Sequence, residues 1–320
     1  DQNFVIKLAE SCPDISVILS GHAHSTIPEA WINGVLVVQP SHWGRGVSKV
    51  LITVNDENDI TNRSSQYLSV SGLSPDSAIL DLTADYHDTA VKYVNQTIVD
   101  AVGEFPGGNN ARIIDSPLPD LINAVQFDMA EKAGFPADIS LAAVFNNRGK
   151  IKTGPVTLAD IYGIYQYDNT MYVMEITGDI LRRALEHDAI YWRQIHDVDE
   201  IESIEELKSG ETRDYNWDMY SGVEYTIDLT RKEGNRVTKL NMDGIPVAPD
   251  QKIILAINNY RAGGGGGYTM FKEGKILWQS MSVIRDHMVL FISEKNELSP
   301  DDFYVKNWEL HPQSLQKLAE

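Results

Sequence analysis

Two histidines stand one residue apart in Ser20-Gly21-His22-Ala23-His24, directly after a short apolar run. Neutral imidazole is a good ligand for zinc, manganese or iron, and a loop that curls after a strand can turn both rings into one crevice. The same pair also reads as two surface histidines. A hydrolytic metal centre takes at least three protein ligands, usually with carboxylates, so His22 and His24 would form only part of one. Asp14 and Glu29, the nearest carboxylates, sit in no ligand pattern.

A second set of candidates lies much later. Asn258, Asn259, Tyr260, Arg261 and Ala262 lead into five glycines at 263–267. The asparagines offer donors and acceptors for a base edge or a sugar hydroxyl, and Tyr260 offers a flat face. Gly263, Gly264 and Gly265 let the backbone approach a ligand. The run lacks the Gly-Lys-Ser/Thr ending of a phosphate loop, and a flexible surface loop is the competing reading. Residues 215–222, YNWDMYSG, put three aromatics among polar residues just before a strand. Trp217 and Tyr260 are expected to sandwich a nucleobase, with ring centres roughly 7 Å apart. Such stacking contributes about 1–3 kcal/mol per base. In the polar turn at 144–154, Asn146 and Arg148 are candidates for a hydroxyl or phosphate, since arginine suits bidentate phosphate contact.

Composition bounds what these residues can serve. A formal charge of -19 over 320 residues repels polyanions, which argues against a nucleic-acid polymer as partner. A small phosphate ester remains compatible where cations reverse the sign locally. The single cysteine, Cys12, excludes a disulfide framework. No apolar run approaches the ~18 residues of a membrane span. The first residues read as the middle of a helix–strand unit, so the chain is expected to be a piece of a longer protein.

The elements that must position these side chains follow from periodicity. Strands are expected at 15–19, 35–39 and 47–54, and one long helix over 76–103, where Leu80, Ala84, His87, Val91, Val94, Ile98 and Val102 recur every three or four residues. The loop at 106–110 is the clearest linker. Beyond it come helices over 120–134 and 178–188 and strands at 171–176, 223–229, 237–242 and 253–257. The acidic stretch 196–210 reads as a solvated insertion.

Taken together, Gly21-His22-Ala23-His24, the long helix, the phrase at 156–187, Trp217 five residues before Gly222, and Tyr260 after Asn258-Asn259 resemble one family. It comprises the 5'-nucleotidases and the related 2',3'-cyclic-nucleotide 2'-phosphodiesterase/3'-nucleotidases. The resemblance implies an α+β fold of mixed sheet and helices. It divides the chain into the β-rich end of a calcineurin-like metallophosphoesterase domain (1–75), a linking helix and hinge (76–110), and a C-terminal substrate-binding domain (111–320). It implies a secreted hydrolase, in an extracellular, periplasmic or cell-wall setting, acting on a small-molecule nucleotide or nucleoside.

The intact protein would carry two divalent ions, Zn, Mn or Fe, with His22 and His24 among their ligands. Its other metal motifs would lie in an N-terminal metallophosphoesterase segment absent from this sequence, so this chain alone would be an incomplete enzyme. The family's 5'-nucleotidases carry an aspartate where this chain has Gly266. That difference points to the cyclic phosphodiesterase/3'-nucleotidase branch. A 5'-nucleotidase and a non-catalytic nucleoside-binding module are the alternatives.

Overall fold

The computed structural model describes residues 4–196 and 201–319. The chain divides into two compact units, Asp1–Tyr86 and His87–Glu320.

The first unit is β-rich. It begins with α1 (Val5–Ser11), followed by β1 (Val17–Leu19), β2 (Thr26–Ile32) and β3 (Val35–Pro40). These strands form a sheet in the order β1-β3-β2, with β3 parallel to β1 and antiparallel to β2. The run Val35, Leu36, Val37, Val38 is buried on both faces, as a continuous apolar strand requires. A hairpin of β4 (Gly46–Val54) and β5 (Ile60–Ser69) follows. Its turn is held by Asn55, whose side-chain oxygen accepts from the amides of Glu57 and Asp59.

α2 (Ser77–Val94) begins where Asp76 accepts from the amides of Ala78 and Ile79, an N-cap. It stops well short of the expected 103. Asn95 bonds back to the Val91 carbonyl, and the β-branched Thr97, Ile98 and Val99 enter β6 (Thr97–Ala101) instead. The three-to-four spacing across Ile98 and Val102 is therefore not helical.

The second unit continues with α3 (Asn110–Ile113), α4 (Pro117–Lys132), β7 (Ile139–Ala143) and β8 (Gly154–Thr157), which pairs with β6. Next come α5 (Leu158–Ile164), β9 (Thr170–Thr177), α6 (Gly178–Asp188) and α7 (Ile204–Leu207). β10 (Asp218–Ser221), β11 (Glu224–Asp228), β12 (Val237–Met242), β13 (Ile245–Pro246) and β14 (Lys252–Asn258) follow. The chain then forms α8 (Asn259–Ala262), β15 (Lys275–Val283), α9 (Ile284–Ser293) and β16 (Trp308–His311). A mixed five-stranded sheet has the order β10-β7-β14-β9-β15, and a four-stranded sheet has the order β13-β12-β11-β16. This is the α+β architecture expected.

β14 is central, and its side chains alternate between two cores. Ile253, Leu255 and Ile257 join the cluster that contains α6 and Trp217, whereas Ala256 joins the cluster built on α4, α5 and α9. The expected solvated insertion is partly wrong. Ile201, Ile204 and Leu207 are buried in the first of these cores, which a polar average over the stretch conceals. Residues 197–200 of that stretch lie outside the described residues.

Two buried carboxylates brace the C-terminal segment. Asp115 accepts from the amides of Asn307 and Trp308, and Asp120 accepts from Ser221 Oγ and the Val305 amide. Burial pushes the Asp115 carboxyl up to about 7 and that of Asp120 up to about 6. Both are raised above the unfolded value, so folding favours the protonated forms. This contribution is full below the ordinary value of 3.8 and falls progressively as pH rises, until it is gone above about 6 for Asp120 and about 7 for Asp115. For Asp115 the loss is on the order of 4 kcal/mol. Asp115→Asn, which keeps an acceptor oxygen, is expected to flatten the fall of melting temperature between about pH 4 and 7. Identical pH profiles for the variant and the parent would refute this.

Candidate functional site

The tyrosine at the start of α8 is exposed where β14 ends, and it is the anchor of the site. Tyr260 is 37% exposed. A 3-10 turn at Asp214–Asn216 carries Tyr215, which is half-buried. Burial raises the Tyr215 phenol above its ordinary value, and the nearby Tyr260 and Tyr167 phenols add to that electrostatically. Tyr167, 39% exposed, meets Tyr215 edge to face at 6.4 Å between centroids, and Phe145 meets Tyr167 at 5.1 Å. Three tyrosines from three segments thus share one locality.

The polar loop at 144–154 joins this locality through Asn147, whose amide donates to Asp214 at 2.6 Å. Burial works against the Asp214 carboxylate. Hydrogen bonds from Asn147, Tyr191 and Lys208 outweigh it and hold its pKa below the usual carboxylate range. Arg148 is exposed and lines a cavity of about 450 Å³ with Lys150, Lys152 and Asp160. Ile151 is pinned to Phe105 by two backbone hydrogen bonds, so Lys150 and Lys152 stand on the same outer side of an extended segment. Asn146 shapes the turn: its amide donates to the Gly163 carbonyl and its oxygen accepts from the Arg148 amide. These bonds hold the backbone at Arg148 in place.

Several expected contacts are corrected. Trp217 has no exposed surface and packs between Tyr191, Trp192 and Trp308 at 5.6 to 6.0 Å, so it cannot stack on a base. Within the aromatic motif, Tyr215, flanked by Asp214 and Asn216, is the side chain that reaches the surface. Its polar flanks are the signal that could have found it. Arg261 is buried against Asp218 at 2.7 Å, with 1% of its side chain exposed, so it is not free to hold sugar or phosphate. Asn258 caps α8 by accepting from the Arg261 amide, and Ala262 is buried.

Nor does the glycine run offer open backbone amides throughout. The Gly263 and Gly264 amides donate to the Asn259 and Arg261 carbonyls as the helix closes. A β-carbon on Gly265 would strike the Tyr260 ring at 2.5 Å. At Gly266, where φ is +70°, one would strike Arg261 and Asn216 at 2.4 Å, so the run is packed against its own neighbours. Asn259 keeps a side-chain oxygen that is shielded from solvent and has no partner among the described residues.

In the first unit, His22 and His24 follow β1 in the left-handed region, with φ of 68° and 54°. Ser41 and Trp43 are left-handed too, in the loop that brings His42 flat against His24 at 4.7 Å. Left-handed non-glycine residues are costly and cluster where a loop is shaped for function. The two imidazoles fit a share of a metal site by donor chemistry and loop shape. Among the described residues no group of three or more His, Cys, Asp or Glu stands ready to hold an ion.

Comparison with known proteins agrees with this architecture. A family model described as 5'-nucleotidase, C-terminal domain, matches residues 94–273. The trifunctional nucleotide phosphoesterase protein YfkN of Bacillus subtilis (strain 168) is 26% identical over 366 residues, covering 99% of this chain and 24% of that protein. The 2',3'-cyclic-nucleotide 2'-phosphodiesterase/3'-nucleotidase of Haemophilus influenzae is 24% identical over 376 residues, covering 97% of this chain and 55% of that protein. The chain therefore spans 24% and 55% of the lengths of these relatives. A candidate 5'-nucleotidase of Staphylococcus aureus, solved with alpha-ketoglutarate, superposes with a TM-score of 0.76 at 23% identity. That match covers 95% of this chain and 57% of the other, and it speaks for the fold. With the family model spanning more than half of its residues, the chain belongs to the 5'-nucleotidase family, whose C-terminal domain it carries.

Proposed function

We propose that this chain holds the nucleoside of a small nucleotide and supplies two metal ligands in a metal-dependent nucleotide phosphohydrolase of the 2',3'-cyclic-nucleotide 2'-phosphodiesterase/3'-nucleotidase type. The observation that carries the reading is the tyrosine cluster. Tyr260, Tyr215 and Tyr167 present partly exposed rings beside a packed glycine run, and a loop joined to the cluster carries the exposed Arg148. Tyr260 and Tyr215 stack on the base. Arg148 meets the phosphate, supported by the charge of Lys150 and Lys152. Asn259 orients the sugar from the first position of α8.

His22 and His24 are two of the ligands, and the remaining ones come from a metallophosphoesterase segment of the whole protein. When bound there, divalent ions would contribute Lewis-acid chemistry and offset phosphoryl charge, with His22 and His24 among the residues that would hold them. The segment that holds α2 serves as the hinge between the two functions, and the protein works outside the cytoplasm, in the periplasm, cell wall or medium. Among the described residues no helix is long and apolar enough to cross a membrane.

Tyr260→Ala and Tyr215→Ala are each expected to weaken adenosine binding by about 1–3 kcal/mol, the worth of one stacked base, while Trp217→Phe leaves affinity unchanged. Calorimetric titration of the three variants decides it, and loss of binding in the Trp217 variant alone would reinstate the first assignment. Arg148→Ala is expected to weaken 3'-AMP binding by at least tenfold, about 1.4 kcal/mol, and adenosine binding little. Equal losses for both ligands would remove the phosphate role.

For the whole protein with manganese, kcat/KM for 3'-AMP and 2',3'-cyclic AMP should exceed that for 5'-AMP. A 5'-AMP lead of more than about tenfold would place it with the 5'-nucleotidases instead.

A further inference from the structure

Behind the tyrosine cluster lies a buried polar network that the proposed function does not use directly. The Arg261 guanidinium donates from Nε to Asp218 Oδ2 at 2.7 Å and from Nη1 to Asn216 Oδ1 at 2.9 Å. Its Nη2 donates to the carbonyl of Tyr215, and Nη1 also approaches the Gly265 carbonyl at 3.4 Å. The guanidinium lies 4.4 Å above the Tyr268 ring. Tyr268 Oη lies within hydrogen-bond reach of both the Asn216 carbonyl, at 2.9 Å, and Asp188, and its single proton serves one of them at a time. Asp188 also accepts from the Asp218 amide at 2.9 Å and from Tyr220 Oη at 2.8 Å.

The bonds of Arg261 join two segments, and Asp188 at the end of α6 ties in behind them. One is the turn at Asp214–Asn216, which carries Tyr215, together with β10 behind it. The other is α8 and the glycine run, which carry Tyr260. They are some forty residues apart in sequence, and the fork of one arginine reaches both. Three donor nitrogens held in one plane on an always-charged group fix orientation as well as distance, which an ammonium on a flexible stem does not.

We propose that Arg261, with Asp218, Asn216 and Tyr268, is a clasp that positions Tyr215 against Tyr260. These are positioning residues: Arg261 and Asp218 are buried and touch the backbone that bears the rings, not the ligand. The inference rests on the reading of Tyr215 and Tyr260 as base-stacking side chains, and it adds that their spacing is set from behind by a single guanidinium. Lysine at 261 would keep the ion pair with Asp218 but lose the fork. Alanine at the half-buried Asn216 would remove one prong while leaving the ion pair intact.

Asn216→Ala and Arg261→Lys are the test variants, with Val125→Ala as control, since Val125 is buried in the other core of the same unit. Adenosine affinity is read by calorimetry and stability by melting temperature. Asn216→Ala and Arg261→Lys are expected to weaken adenosine binding about tenfold or more, and Val125→Ala to lower the melting temperature without changing affinity. The clasp is overturned if Arg261→Lys and Asn216→Ala bind as the parent does, or if Val125→Ala weakens binding equally.

A ligand-free readout separates this from the base-stacking reading. Nitration of Tyr215 by tetranitromethane, followed by peptide mass, should proceed several-fold faster in Asn216→Ala. If the parent fails to bind adenosine but nitration accelerates, the stacking reading falls and the clasp stands. An unchanged nitration rate removes the clasp.

Discussion

Two carboxylates and one guanidinium are buried together behind the glycine run, and the local structure follows from how their charges are settled. Arg261 pairs with Asp218. Removing one partner of such a pair leaves an uncompensated charge, at a cost of about 3–5 kcal/mol. Burial, with the Asp218 charge beside it, pushes the Asp188 carboxyl up from its ordinary value. Both tyrosine hydroxyls that meet Asp188 are themselves held in their neutral forms, burial being the main cause. The result is a polar core with its hydrogen bonds assigned, from which the turn at Asp214–Asn216 and α8 both hang.

The acidic balance of the chain makes the placement of its cations informative. At -19, the protein's field works against any phosphate ester. Arg148, Lys150 and Lys152 stand on one loop and line one cavity, a local reversal of sign. The Arg148 turn is rigidified by Asn146 rather than left to wander. Arg261, the arginine nearest the glycines in sequence, is committed to the interior. The two arginines singled out from the sequence have thus divided into one surface group and one structural group, and burial alone separates them.

Much of the fold was legible because period-two and period-3.6 patterns reflect which face is buried. The strands at 35–40, 237–242 and 252–258 and the helix Gly178–Asp188 fall where their apolar spacing places them. The linking helix was overdrawn because Ile98 and Val102 happen to keep the helical spacing while Thr97, Ile98 and Val99 favour a strand. The aromatic site was legible only to the level of the segment. Sequence shows that 215–222 is rich in rings, but whether Trp217 or Tyr215 faces outward depends on the packing of Trp217 against Trp192 and Trp308, which is tertiary. Arg261 misled for the same reason: its partner Asp218 lies forty-three residues away in sequence.

Gly266 carries a consequence for how this loop can vary. Its left-handed backbone already requires glycine or a residue that tolerates strain. Beyond that, the space a β-carbon would take is filled from two directions, by Arg261 and by Asn216. A side chain at 266 therefore fits only when the residues at 216 and 261 shorten or withdraw with it. Positions 216, 261 and 266 form a single three-letter unit of substitution, so a loop graft that alters one letter alone would produce a protein whose failure lies in packing and not in chemistry.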